Sequence, residues 1–365
     1  MTESIPTTMR AAVLTARGGP EVLVVRDDVP VPEPRAGEVL VAVAACGVNN
    51  TDINTRVGWY SRSVTEATTG DGFAEAQEGD SAWGGGLTFP RIQGADPCGG
   101  IVAVGPGVDP ERVGQRVVVD PWLRDPERPL DRTLAGYLGS ECDGGFAEYC
   151  TVPAVNAHDV SAAPATDVEL AGLACSWSTA MHMLTRVHLT AGQRIAITGA
   201  SGGVGSALVR LASLRGAEVT AIAGRSKLDA VAAFGAAHVV ERELDAVPGA
   251  ACGVAGAPFD VVADIVGGSD FGGWLDVLAK GGRYVTSGAI AGPVVDLDLR
   301  TLYLNDLELY GATVFEPQVF ADLIELVNAG DVAPIVAATY PLDQIHAAQE
   351  AFERKTHVGN IVITI

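Results

Sequence analysis

The sequence predicts an α/β protein in two parts: an antiparallel β-barrel or sandwich, then a doubly wound parallel sheet. Three observations carry this expectation. The chain has 365 residues, more than one hydrophobic core usually organises. From Met9 to about Val155, short apolar runs are punctuated by Gly and Pro. From Leu170 to about Tyr310, strands and helices alternate in βα units, and such repeats build a parallel sheet with helices on both faces.

Strands in the first part are expected at 11–15, 22–26, 39–45, 100–104 and 116–119, where residues alternate or run apolar. Turns such as Arg17-Gly18-Gly19-Pro20, Pro34-Arg35-Ala36-Gly37 and Gly105-Pro106-Gly107 separate them. The stretch 65–86 is rich in Gly, Ala, Asp and Glu and has no apolar period. A loop of that length in a compact domain is a functional or mobile segment, here a border of the site mouth or a solvated decoration. In the second part the order is strand 194–198, helix 206–215, strand 218–223, helix 228–234 closed by Gly235, and strand 238–241. Strand 260–265, helix 271–279, the turn Lys280-Gly281-Gly282 and strand 283–287 follow. Helices at 318–328 and 342–354 and a last strand at 360–365 are expected to pack back onto the first part. The expected division is therefore residues 1–155 completed by 315–365, with 156–314 inserted between them.

Net charge is 24 − 45 = −21. Such a field repels phosphate backbones and anionic lipid surfaces, so neither nucleic acid nor a membrane is an expected partner; a small-molecule substrate is. No apolar run reaches the 18 or so residues that a membrane span needs. Met1 to Met9 hold no basic stretch followed by an apolar one, so a signal peptide is not expected and the cytoplasm is the expected compartment. Six Cys spread over the chain read as reduced thiols. Only three residues are Lys, at 227, 280 and 355, so a Lys inside a motif carries extra weight.

The strongest motif is Thr198-Gly199-Ala200-Ser201-Gly202-Gly203-Val204-Gly205. It follows an apolar strand, opens an amphipathic helix and precedes a second strand, the setting in which backbone amides cradle a pyrophosphate. Gly199, Ser201, Gly202, Gly203, Val204 and Gly205 are the expected cofactor contacts. An NAD site wants Asp or Glu at the end of the second strand. Here that place reads Ala223-Gly224-Arg225-Ser226-Lys227. Arg225, Ser226 and Lys227 suit a ribose 2′-phosphate, so NADPH (the NADP couple) is the expected cofactor. The plainer alternative is a solvated helix start with Ser226 as its cap.

With this turn in place, the chain resembles the medium-chain dehydrogenase/reductases. The resemblance runs through Gly37-Glu38-Val39-Leu40-Val41, Gly47-Val48-Asn49 with Asp52, Gly144-Gly145-Phe146-Ala147-Glu148-Tyr149, and Ser178-Thr179-Ala180. It implies a GroES-like β-barrel catalytic domain, a Rossmann domain and hydride transfer between them. Zinc-dependent members use a Cys, a His and a later Cys. This chain has Asn49 and Ala95 at the first two positions and keeps only Cys175, one ligand where a catalytic zinc takes three, so no metal is expected. What remains resembles the zinc-free quinone oxidoreductases and enoyl reductases, whose N-x-x-D-x-x-x-R-x-G-x-Y segment is met by Asn49, Asp52, Arg56, Gly58 and Tyr60. Carried over, Asn49 contacts the nicotinamide or substrate carbonyl and Tyr60 orients or protonates the reduced substrate. Thr179 and Ser287-Gly288-Ala289 line the nicotinamide. Against these roles stand plainer ones, with Tyr60 a plug at the barrel rim and Asn49 the cap of a turn. The resemblance also implies a homodimer joined at a Rossmann sheet edge, with 307–311 as the candidate strand. The expected activity is NADPH-dependent hydride transfer to a quinone or an α,β-unsaturated carbonyl or thioester. The alternatives are an alcohol or carbonyl dehydrogenase of the same superfamily, or a nicotinamide-binding sensor or structural protein.

Overall fold

The computed structural model describes residues 5–68 and 87–365. The chain opens with β1 (Thr8–Leu14), β2 (Leu23–Pro30) and the long β3 (Glu38–Val48), which runs directly into α1 (Asn50–Val57). After β4 (Arg91–Ile92) come β5 (Asp96–Val104), β6 (Arg116–Val119), the short pair β7 (Trp122–Leu123) and β8 (Gly136–Tyr137), then β9 (Tyr149–Pro153) and β10 (Ala157–Asp159). β3 pairs with both β5 and β9, and its side chains are buried along most of its length, which places it at the centre of this half. Helix α1 starts where the Asp52 carboxylate accepts the Asn49 N–H at 2.8 Å, and ends at Gly58 in the left-handed region at φ 77°.

Helices α2 (Asp167–Leu170) and α3 (Ser176–Arg186) lead into the second half. There β11 (Arg194–Ile197), α4 (Gly203–Leu214), β12 (Glu218–Ala223), α5 (Leu228–Ala232), β13 (His238–Glu241), α6 (Val247–Ala255), β14 (Phe259–Asp264), α7 (Phe271–Asp276), β15 (Leu278–Thr286), α8 (Leu299–Leu304) and β16 (Glu308–Gly311) alternate. Their strands form one parallel sheet in the order β13-β12-β11-β14-β15-β16, the doubly wound arrangement expected of alternating βα units. The chain then forms α9 (Pro317–Ala329), β17 (Val336–Pro341), α10 (Ile345–Glu353) and β18 (Asn360–Thr364). β18 pairs antiparallel with β3 and parallel with β17, so the tail joins the sheet of the first half.

Two expectations need correction. The helix placed at 271–279 stops at Asp276, and Lys280-Gly281-Gly282 lies inside β15. The pairing of β14 and β15 jumps from Phe259↔Leu278 to Val261↔Arg283, so the turn survives as an excursion between two paired stretches of one strand. Helix α6 and strand β17 form where the sequence carries no clear apolar period. Among the described residues no helix is long and apolar enough to cross a membrane, and all six cysteines are free thiols.

Buried residues from both halves, Ala45, Trp122 and Tyr137 on one side and Trp177, Ile197 and Leu208 on the other, share one apolar cluster. That shared cluster fixes the two halves against each other. Above it, at the C-terminal ends of the parallel strands, a cleft opens where ligands of such sheets bind.

Candidate active site

The cleft is a cavity of about 650 Å³. Its floor is the glycine-rich turn between β11 and α4, of which Gly199, Ser201, Gly202, Gly203 and Val204 face the cavity. Gly199 takes φ 59°, where a β-carbon is strained. Gly205 lies one layer down: a β-carbon there would come within 2.1 Å of the Gly199 carbonyl oxygen, so only glycine lets the helix approach the strand this closely. The residue before β18 braces the turn, and the first residue of β18 holds α3. The Gly359 N–H donates to the Ser201 carbonyl at 2.8 Å, and Ser176 Oγ donates to Asn360 Oδ1 at 3.3 Å. Beneath it, the fully buried Asp264 carboxylate accepts from Thr198 Oγ1 and Tyr284 Oη, each at 2.5 Å, and from the Val266 N–H at 2.8 Å. One carboxylate thus ties the ends of β11, β14 and β15 together under the cavity.

At one end the lining is basic. Lys227 faces the cavity, but Arg225 and Ser226 are exposed and lie off its lining. The Arg225 guanidinium turns instead to Glu241 at 2.9 Å, at the end of the neighbouring strand β13. The residue after Glu241, Arg242, takes a place on the lining beside Lys227, as do Lys355 and His357 from the tail. Burial lowers the Lys355 ammonium to about 7.

The opposite end is aromatic and uncharged. Thr179, Ser287, Gly288 and Ala289 line its approach. Asn49 and Tyr60 come together there with Trp59, Trp122, Tyr137 and Cys175. Asn49 is the residue before α1, and its Nδ2 donates to Asp96 Oδ2 at 3.0 Å. The other oxygen of Asp96 accepts the Cys175 N–H at 2.6 Å. Burial pushes both Asp52 and Asp96 above the usual carboxylate range, and the N–H donors around them pull the other way. The Cys175 thiol lies 3.8 Å from Thr51 Oγ1 and is raised by burial and by Asp96, which keeps it protonated. Burial raises the Tyr60 phenol to about 12, opposed by hydrogen bonds with Asn54 and Thr51. Among the described residues, no three His, Cys, Asp or Glu side chains are grouped as a metal site requires.

Most of the stretch 65–86, read as a border of the site mouth or a solvated decoration, lies outside the described residues. Its first residues are described: the Thr68 N–H donates to the Ile290 carbonyl at 3.1 Å, and Thr68 faces the cavity.

Comparison with known proteins agrees with this geometry. Residues 35–162 match the family described as alcohol dehydrogenase GroES-like domain, and residues 203–329 match that described as zinc-binding dehydrogenase. A solved structure from Sinorhizobium meliloti 1021, named provisionally as an alcohol dehydrogenase, is 46% identical, with a TM-score of 0.90 over 99% of this chain and 98% of that one. A quinone oxidoreductase from Pongo abelii is 27% identical over 94% of this chain and 93% of its own length. An NAD-dependent alcohol dehydrogenase from Sulfurisphaera tokodaii is 27% identical over 97% of this chain and 99% of its own length.

Proposed function

Because the chain belongs to the medium-chain dehydrogenase/reductase superfamily, we propose that it is an NADPH-dependent reductase. Its substrate in this reading is a quinone or an α,β-unsaturated carbonyl or thioester, reduced without a catalytic zinc. The observation that carries the reading is the state of the three positions where zinc-dependent relatives keep ligands. They hold Asn49, whose Nδ2 donates to Asp96; Ala95, whose side chain has no donor atom; and Cys175, a single thiol. A catalytic zinc needs three protein ligands, and among these three positions only Cys175 offers one of the usual kind. These residues do not suit the metal.

They do suit a nicotinamide dinucleotide. The turn from Gly199 to Val204 would hold its pyrophosphate, and Lys227 with Arg242 would face a ribose 2′-phosphate. A bound nicotinamide supplies a hydride to the β-carbon of the substrate. The remaining work falls to side chains. Asn49, oriented by Asp96, fixes the substrate or carboxamide, and the Tyr60 hydroxyl gives its proton to the enolate as the O–H bond breaks. Thr51, next to Tyr60 and exposed to the cavity, can pass a proton back from water.

A turnover panel tests the reading. With NADPH, 1,4-benzoquinone or a cyclic enone should be reduced at a rate that a strong chelator leaves unchanged, and a simple alcohol should not be oxidised. Stoichiometric zinc whose removal abolishes alcohol oxidation would overturn it in favour of the activity named for the Sinorhizobium relative.

A further inference from the structure

Arg124 ties three pieces of the molecule together behind the aromatic end of the cavity, while lying off the cavity lining itself. It follows β7, and its side chain is 11% exposed. One nitrogen, Nη1, donates to Asp120 Oδ2 at 2.6 Å and to the Trp122 carbonyl at 3.0 Å. The other, Nη2, donates to the Phe315 carbonyl at 3.0 Å, and the guanidinium carbon lies 5.3 Å from the centre of the Phe315 ring. The second oxygen of the buried Asp120 carboxylate accepts the Trp122 N–H at 3.0 Å. Asn156 Nδ2 closes the arrangement, donating to the carbonyls of Asp120 at 2.8 Å and Trp122 at 2.9 Å.

These bonds converge on the border of the cavity. Trp122 and Tyr137, edge to face with ring centres 4.7 Å apart, form one aromatic wall of it. The Trp122 backbone is held at both its N–H and its carbonyl, and its ring meets Phe315 edge-on at 6.4 Å. The connection from β16 to α9 borders the same cavity through Thr313. That connection is anchored twice. At its start the Ala312 N–H donates to the Thr286 carbonyl of β15 at 2.9 Å, and near its end Arg124 holds Phe315.

A buried ion pair such as Arg124 with Asp120 is weak evidence for stability, since apolar side chains of similar volume often serve as well. What the planar guanidinium adds is direction, because bonds made by one rigid fork fix their partners relative to each other. We infer that Arg124 is a positioning residue that determines specificity: it sets how large a substrate ring the aromatic end admits, by clamping the Trp122–Tyr137 wall to the connection that carries Thr313. This rests on the reading above that the aromatic end takes the substrate, and adds to it the residue that sets the width. A small ring depends on the wall for its orientation, whereas a fused ring needs the wall to yield.

The test is steady-state reduction of 1,4-benzoquinone and of phenanthrenequinone by NADPH. The proteins compared are the unsubstituted chain, Arg124→Lys, and a double variant carrying Asp120→Asn and Arg124→Met. The double variant removes both charges and so leaves neither buried alone. Arg124→Lys keeps a charge beside Asp120 but has no fork to span from it to Phe315. In both, the ratio of kcat/KM for phenanthrenequinone to that for benzoquinone should rise by roughly ten- to a hundredfold, chiefly through KM for benzoquinone. The KM for NADPH should not move. An unchanged ratio in the double variant overturns the inference, as does an equal fall for both quinones that tracks a fall in Tm. If the double variant does not fold, Arg124→Lys decides in its place. If the unsubstituted chain reduces neither quinone but oxidises alcohols, the functional reading has failed, and the same ratio taken with ethanol and cinnamyl alcohol decides the inference. A chain that turns over none of these substrates overturns both.

Discussion

In the proposed reaction Tyr60 gives up a proton, and its surroundings set when it can do so. Burial raises the phenol to about 12, so the hydroxyl keeps its proton through the neutral and mildly alkaline range. The active form in a proton-donating role is the protonated one, and it is lost only as pH rises through that value. Tyr60→Phe should therefore lower kcat by roughly 10²–10⁴-fold, the usual worth of a positioned acid, while leaving dinucleotide affinity unchanged. The unsubstituted enzyme should show no alkaline decline from Tyr60 below about pH 10. A pH profile of kcat beside a binding titration checks both, and a kcat in Tyr60→Phe equal to that of the unsubstituted enzyme would remove Tyr60 from the chemistry. Asn49 and Tyr60 were legible in the sequence because one short segment carries both, spaced so that α1 and Gly58 bring them to the same wall. The basic end was less legible. Arg225 is exposed and pairs with Glu241 of the neighbouring strand, a contact that the sequence around Arg225 does not contain. Arg242 and Lys355 reach the cavity from segments distant in sequence, and no local pattern announces them.

At the scale of elements, the strand–turn–helix unit around Gly205 leaves almost no slack. A methyl group at Gly205 would lie 2.1 Å from the Gly199 carbonyl oxygen, and that atom is backbone. Gly205→Ala should thus force the helix outward, at about 1–3 kcal/mol, the usual cost of overpacking. Loss of dinucleotide binding should exceed what that stability change explains, and thermal melts with and without cofactor measure both. A variant with native Tm and native affinity would show that the turn tolerates the displacement. This unit was readable because glycine spacing and the switch of apolar period coincide there. Helix α6 was not: Pro248, Gly249 and Gly253 are poor helix formers, and packing of Val247 and Ala251 into a buried cluster with Trp274 overrides that preference. The tight excursion within β15 was legible as a turn, but pairing with β14 on both sides of it is a long-range fact that local sequence does not contain.

For the molecule as a whole, the parallel sheet ends at β16, an edge strand that pairs only with β15 among the described residues. Beside it Leu299, Tyr303 and Leu304 of α8 are each more than 60% exposed. An apolar patch next to an open sheet edge is covered most simply by a second copy related by a two-fold axis. The chain should sediment as a dimer at micromolar concentration, and Leu304→Glu should shift it to monomer without lowering secondary-structure content. A monomer in the unsubstituted protein would sink the expectation. The tail adds a property of a different kind. The tail returns to the first half, yet at the entry to β18 Gly359 donates to Ser201 of the glycine-rich turn and Asn360 accepts from Ser176 of α3. Order in the turn is therefore coupled to docking of a segment far away in the sequence, a non-local contact whose loop entropy is paid before it forms.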